Sequence, residues 1–135
     1  MDEISIGGIM LKVIKPWGLE YCVYRGTTGV GILHLKKGEE TSLHYHEKKD
    51  TLFIVLEGQV IEVVGDEEKI LGVGDQIRIP KKKLHQTKAL TNAVLLEYES
   101  TGNVLDLVRV KDKYKRGKAY EASVITTVDE LVLKL

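Results

Sequence analysis

Glycine punctuates this chain at short intervals, and the segments between the glycines are β-formers. Glycines stand at 18, 26, 29, 31, 38, 58, 65, 72, 74, 102 and 117. Between them lie runs rich in Val, Ile, Leu, Tyr and Thr: Gly31–Leu35, Thr51–Leu56, Gln59–Val64, Gln76–Pro80 and Ala93–Tyr98. β-Branched and aromatic residues suit a pleated, half-buried surface, and glycine supplies the turns. Short strands at this spacing predict an all-β sandwich or barrel. Glu57-Gly58 and Gly65-Asp66 read as hairpin turns. No stretch before residue 110 holds a helical period over three turns. Residues 4–14 read as one or two strands outside the barrel. In the tail, Thr127 with Glu130 fits a capping box, while Leu131–Leu135 alternates like a strand. With 135 residues and neither linker nor repeat, the reading is one domain over 1–135.

Composition narrows the function. Twenty Lys and Arg balance twenty Asp and Glu, a net charge of zero. That argues against nucleic acid and anionic membrane as partners, since both require a basic excess. The single cysteine, Cys22, excludes an intramolecular disulfide and suits a cytoplasmic location. No apolar run reaches the roughly 20 residues that cross a membrane, and no signal peptide is visible. Cys22 reads as a small buried apolar residue. The four histidines, at 34, 44, 46 and 85, are the most informative residues left.

His44-Tyr45-His46 is the strongest chemical signal. On a strand, residues i and i+2 share a face, so two imidazoles can converge on one ion. His85, just past the turn Pro80–Leu84, is the candidate third ligand. His34 fits no such pattern and reads as a solvated or hydrogen-bonded strand residue. Glu97 and Glu99 share one face of their strand. If that face lines the interior they are proton-transfer groups; if it faces water they are surface carboxylates. Lys81, Lys82 and Lys83 read as a phosphate-attracting loop beside His85 or as a solvated loop. Arg78 either lines a pocket or faces water. Trp17 reads as a packing residue covering one end of the barrel.

The residues Gly38-Glu-Glu-Thr-Ser-Leu-His44-Tyr-His46 resemble the first motif of the cupin superfamily, a Gly, five residues, then HxH. Gly74-Asp-Gln-Ile-Arg-Ile-Pro80, continuing to His85, resembles the second. A closer resemblance, over about residues 13–117, is to the cupin domain of type II mannose-6-phosphate isomerases. It rests on Lys15-Pro-Trp-Gly18, Glu20-Tyr21, Thr41–His44, Val63–Lys69 and Val108–Tyr114 with Arg116. The resemblance implies a small antiparallel β-barrel (double-stranded β-helix or jelly roll) with metal ligands inside its mouth. It also implies a homodimer built through end strands, here the extensions outside about 13–117. Four positions depart from these patterns: Thr51 where a Glu ligand is usual, Lys82 for Gly, Ala89 for Asn and His44 for Gln. Asp50, beside Thr51, should face outward unless a bulge turns it in.

The expectation is a three-histidine site for a divalent metal (Zn, Fe, Ni, Mn or Cu) with open coordination positions. The function this implies is action on, or binding of, a sugar phosphate or related sugar. Glu97 or Glu99 would move the proton, and Lys81–Lys83 or Arg116 would hold the phosphate. Two alternatives stand beside it: a three-His dioxygenase, and a non-catalytic sugar-binding or structural barrel.

Overall fold

The computed structural model describes residues 10–103, 105–117 and 124–128, with no side chains described for Met10 or 124–128. Among them there are twelve strands and no helix. In chain order they are β1 (Met10–Lys15), β2 (Gly18–Arg25), β3 (Gly29–Leu35), β4 (Leu43–Tyr45), β5 (Thr51–Glu57) and β6 (Val60–Val64). There follow β7 (Glu67–Leu71), β8 (Gln76–Ile79), β9 (His85–Ala89), β10 (Ala93–Glu99), β11 (Val108–Lys111) and β12 (Val124–Val128). Every pairing is antiparallel. A seven-stranded sheet runs β12-β1-β2-β3-β10-β5-β8, and a five-stranded sheet runs β11-β4-β9-β6-β7. No described helix is long and apolar enough to cross a membrane.

Alternation decides what each sheet buries. On β5, Thr51, Phe53 and Val55 point inward, while Leu52, Ile54 and Leu56 are only half-buried. The inward residues of both sheets meet in one core of Trp17, Leu33, Leu35, Phe53, Val55, Val60, Leu71, Ile79, Ala89, Ala93 and Leu95. Trp17 is thus a core residue, and Cys22 is buried as its composition suggested. The outer face of the larger sheet is apolar as well. There Ile14, Tyr24 and Tyr98 are 42%, 51% and 41% exposed.

Two turn readings part ways. Gly65, at φ 58°, does turn a hairpin, with Val64 opposite Glu67. Glu57-Gly58 does not: β5 belongs to one sheet and β6 to the other, so this link crosses between them. Gly58 is required by conformation and by space. Its φ is 78°, and a Cβ there would lie 2.2 Å from the Asn92 carbonyl oxygen. The link therefore presses against the β9–β10 turn, which a free hairpin would not do. In the tail, Thr127 lies in β12 opposite Leu11 of β1, so it caps no helix. Glu130, Leu131–Leu135 and residues 4–9 lie outside the described residues.

Candidate metal centre

The three histidines come together because β4 and β9 are neighbours in the five-stranded sheet. His44 lies opposite His85 across that pair, and His46 follows β4 by one residue. Their ligand nitrogens all lie within 4.8 Å of one another. His46 and His85 are buried, and His44 is half-buried toward the cavity.

Each ring is oriented by a backbone carbonyl. His44 Nδ1 lies 2.8 Å from the Ser42 oxygen, His46 Nδ1 lies 2.6 Å from that of Asp106, and His85 Nδ1 lies 3.0 Å from that of Lys83. A carbonyl accepts only, so each Nδ1 carries the proton and each Nε2 keeps its lone pair. The His85 Nε2 is buried and has no hydrogen-bond partner among the described residues. An unpaired buried acceptor is costly in a closed interior. Three convergent lone pairs on neutral imidazoles are a donor set that fits a divalent transition metal. Burial, reinforced by the neighbouring histidines, holds His44 well below the ordinary imidazole value. Burial also holds His85 down at about 4. Neutral rings are what a metal requires.

The opposite sheet supplies different chemistry. Glu20, Glu97 and Glu99 line the same cavity as the histidines, together with Lys15, Arg25, Lys49, Arg109 and Arg116. Glu99 accepts from Lys49 Nζ at 2.6 Å and from Arg25 Nη1 at 3.1 Å. Burial alone would raise its carboxyl. The hydrogen bond with Glu97 and the charges of Lys49 and Arg25 overcome burial and hold Glu99 at about 2. Glu97 goes the other way: burial, then the adjacent Glu99 charge, push it well above the carboxylate range. The two environments therefore push the carboxyls apart, Glu97 toward its protonated form and Glu99 toward its ionised form.

The sequence-derived candidates divide cleanly by place. His44, His46, His85, Glu97 and Glu99 all line the cavity. Arg78, Lys81, Lys82 and Lys83 do not. Arg78 stands in register with outward-facing Leu52 and is exposed, with Nη2 3.3 Å from Asp50 Oδ2. The three lysines are exposed on the β8–β9 turn. That turn acts through its backbone: Lys82 N–H donates to the His46 carbonyl at 2.6 Å, from a φ of 67°. The proximity of the lysines to His85 in sequence misleads because the turn projects their side chains away from the interior.

At the departure from the cupin pattern, Thr51 faces inward in register with Glu99, and its buried hydroxyl has no partner among the described residues. Asp50 faces outward, accepting from Lys81 N–H at 2.9 Å. Neither brings a carboxylate to the histidines. His34 lies outside the cluster, half-buried, with its ring edge-on to Tyr21 at 5.4 Å.

Two cavity residues carried no legible signal. Lys49 is 3% exposed and Arg109 4% exposed, although both look like surface residues in the sequence. Arg109 lies opposite His44 on the far side of β4, and its Nη1 donates to the Gly117 carbonyl at 3.1 Å. Arg116, named from the resemblance, is steadied by Asp112, with Nε 2.9 Å from Oδ2. Glu20 has the parity of buried Cys22, a signal that alternation along β2 could have given.

An antiparallel two-sheet barrel with three imidazoles converging inside it defines a β-barrel whose interior could hold a metal ion. The chain belongs to the cupin family: the cupin domain matches residues 31–98, half of the sequence. It is 30% identical over 112 residues to mannose-1-phosphate guanylyltransferase 2 of Escherichia coli O157:H7, covering 77% of this chain and 23% of that protein. The chain thus spans about a quarter of that relative's length. Among solved structures it is similar to KdgF from Halomonas sp., with a TM-score of 0.62 and 19% identity, covering 66% of this chain and 84% of that one. That likeness speaks for the fold. It is also similar to salicylate 1,2-dioxygenase from Pseudoaminobacter salicylatoxidans, with a TM-score of 0.53 and 26% identity, covering 55% of this chain and 22% of that one.

Proposed function

We propose that this cupin is a metal-dependent isomerase of a sugar phosphate, interconverting aldose and ketose. The observation that carries the reading is the Glu97–Glu99 pair facing the three histidines across one cavity. Their environments drive one carboxyl toward protonation and the other toward ionisation, which is the arrangement for moving a proton between adjacent carbons. Glu99, held ionised by Lys49 and Arg25, takes the proton from the sugar carbon. Glu97 supplies its proton to the sugar oxygen. His44, His46 and His85 would hold the metal, which when bound polarises the reacting carbonyl or hydroxyl.

The phosphate has its place on the cationic wall. Five cationic side chains line the cavity against three carboxyls, and one of those, Glu97, is driven toward its neutral form. Arg109, Arg116 and Lys15 are the group nearest in kind to a phosphate clamp. They replace the exposed Lys81–Lys83 in that role. The relation to the guanylyltransferase supports a sugar-phosphate ligand. The test is aldose–ketose interconversion of mannose 6-phosphate by protein loaded in turn with Zn, Mn, Ni, Fe or Cu. Turnover that disappears in Glu99→Gln supports the reading. Metal bound with no turnover on any sugar phosphate overturns it.

A second reading has its own support. Among the described residues the histidine group includes no carboxylate, and the chain is similar to a salicylate 1,2-dioxygenase. Nitric oxide binding to the iron-loaded protein, together with oxygen uptake on an aromatic acid, would favour a dioxygenase. A metal-independent sugar complex would leave a binding barrel. The exposed outer face carrying Ile14, Tyr24 and Tyr98 supports a homodimer, which sedimentation velocity reads directly.

A further inference from the structure

Asp106 lies in the stretch between β10 and β11, far in sequence from the histidine motif, yet it closes three hydrogen bonds on the segment leaving His46. Its Oδ1 accepts from Glu47 N–H at 2.8 Å and its Oδ2 from Lys48 N–H at 3.0 Å. Its carbonyl oxygen accepts from His46 Nδ1 at 2.6 Å. The Asp106 side chain is buried, so its two carboxylate contacts are partly shielded and charge-assisted.

The other two histidines are oriented locally. Ser42 and Lys83, whose carbonyls face His44 and His85, each stand two residues from the ring they hold. His46 alone of the three takes its carbonyl from a segment 60 residues away. The clamped segment ends at Lys49, whose ammonium pairs with Glu99. One residue therefore sits behind a metal ligand and behind the cation that fixes the carboxylate pair.

We propose that Asp106 is a positioning residue of the metal centre. Its carboxylate ties the 105–107 stretch to residues 47 and 48, and so keeps its own carbonyl on His46 Nδ1. That fixes the tautomer and aims Nε2 at the ion. The inference rests on the metal-binding reading of the three histidines. Groups that orient a ligand from behind typically set metal affinity by about 10–100-fold without touching the ion.

The experiment has two arms. In the first, Zn²⁺ is titrated calorimetrically into wild type, Asp106→Ala and Asp106→Asn. Asp106→Ala should bind about 10–100-fold more weakly. Asp106→Asn keeps one acceptor and should recover part of the loss. In the second, ¹⁵N NMR of the metal-free proteins follows the three histidine Nδ1–H signals. In Asp106→Ala the His46 signal should be lost to exchange while that of His85 persists. Wild-type Zn²⁺ affinity in Asp106→Ala overturns the proposal, as does equal loss of all three signals, which marks general loosening. If wild type binds no metal, the metal reading fails, and the His46 signal still decides what Asp106 holds.

Discussion

Lys49 Nζ lies 2.6 Å from Glu99 Oε2, and both side chains are buried against one wall of the cavity that the three histidines share. A buried pair of this kind is worth little against an apolar replacement of both partners. Removing one partner strands the other's charge. Lys49→Met should therefore destabilise the protein by about 3 kcal/mol, the low end of the usual range, because Arg25 still faces Glu99. Lys49→Arg should recover most of it. Urea denaturation at pH 7 measures both; a loss below about 0.5 kcal/mol in Lys49→Met would mean that the pair is not formed in solution.

Glu62 offers the opposite experiment. It is wholly buried, accepts from Thr87 Oγ1 at 2.6 Å, and is pushed up by burial to about 8. A carboxyl raised on folding keeps its proton while the unfolded chain loses one, so stability falls as pH rises from about 4.5 toward 8. Glu62→Gln removes that dependence. Between pH 5 and pH 8 the variant should gain about 2–4 kcal/mol on wild type. Parallel pH–stability curves for the two proteins would show Glu62 to be solvated.

The histidines run the other way. His85 falls from 6.5 to about 4 on folding, chiefly through burial, so the metal-free folded state binds fewer protons than the unfolded one. Its contribution is full above 6.5 and is lost as pH falls through about 4. The shift corresponds to about 3 kcal/mol. Thermal unfolding of the metal-free protein should weaken steeply over that range, and His85→Gln should flatten the slope. An unchanged slope in the variant would place His85 in contact with water.

Lys82 sits at φ 67°, a region that costs a residue with a Cβ roughly 1–2 kcal/mol. Lys82→Gly relieves that strain and adds unfolded-state freedom, which offsets part of the gain. The expected net is a stabilisation of about 0.5–1 kcal/mol, with Zn²⁺ affinity unchanged, since the Lys82 side chain lies outside the cavity. A tenfold loss of Zn²⁺ affinity would return that lysine to the site.

Much of this was legible in the sequence because β-structure is written in period two. Glycine spacing marked the strands, and His44 and His46 fall on one face because alternate strand residues must. What stayed hidden was long-range pairing. Nothing in the run Glu47-Lys48-Lys49 distinguishes the buried lysine from its exposed neighbours; Glu99, 50 residues on, does so. Arg109 enters the site only because β11 pairs with β4. The Glu57-Gly58 link looked like a hairpin because turn chemistry is local, while the change of sheet is set by partners elsewhere. Lys81–Lys83 misled for the same reason, since closeness to His85 along the chain says nothing of which way a turn projects its side chains.

Everything proposed for this cavity depends on His44, His46 and His85 acting as one metal site. The most direct measurement is the metal content of the purified protein by elemental analysis, before and after dialysis against Zn²⁺, alongside His44→Ala and His85→Ala. Wild type should hold one divalent ion tightly per chain and either variant none, with all three proteins folded. Wild type that retains no ion, or variants that retain it, would show that the three histidines do not form a metal site.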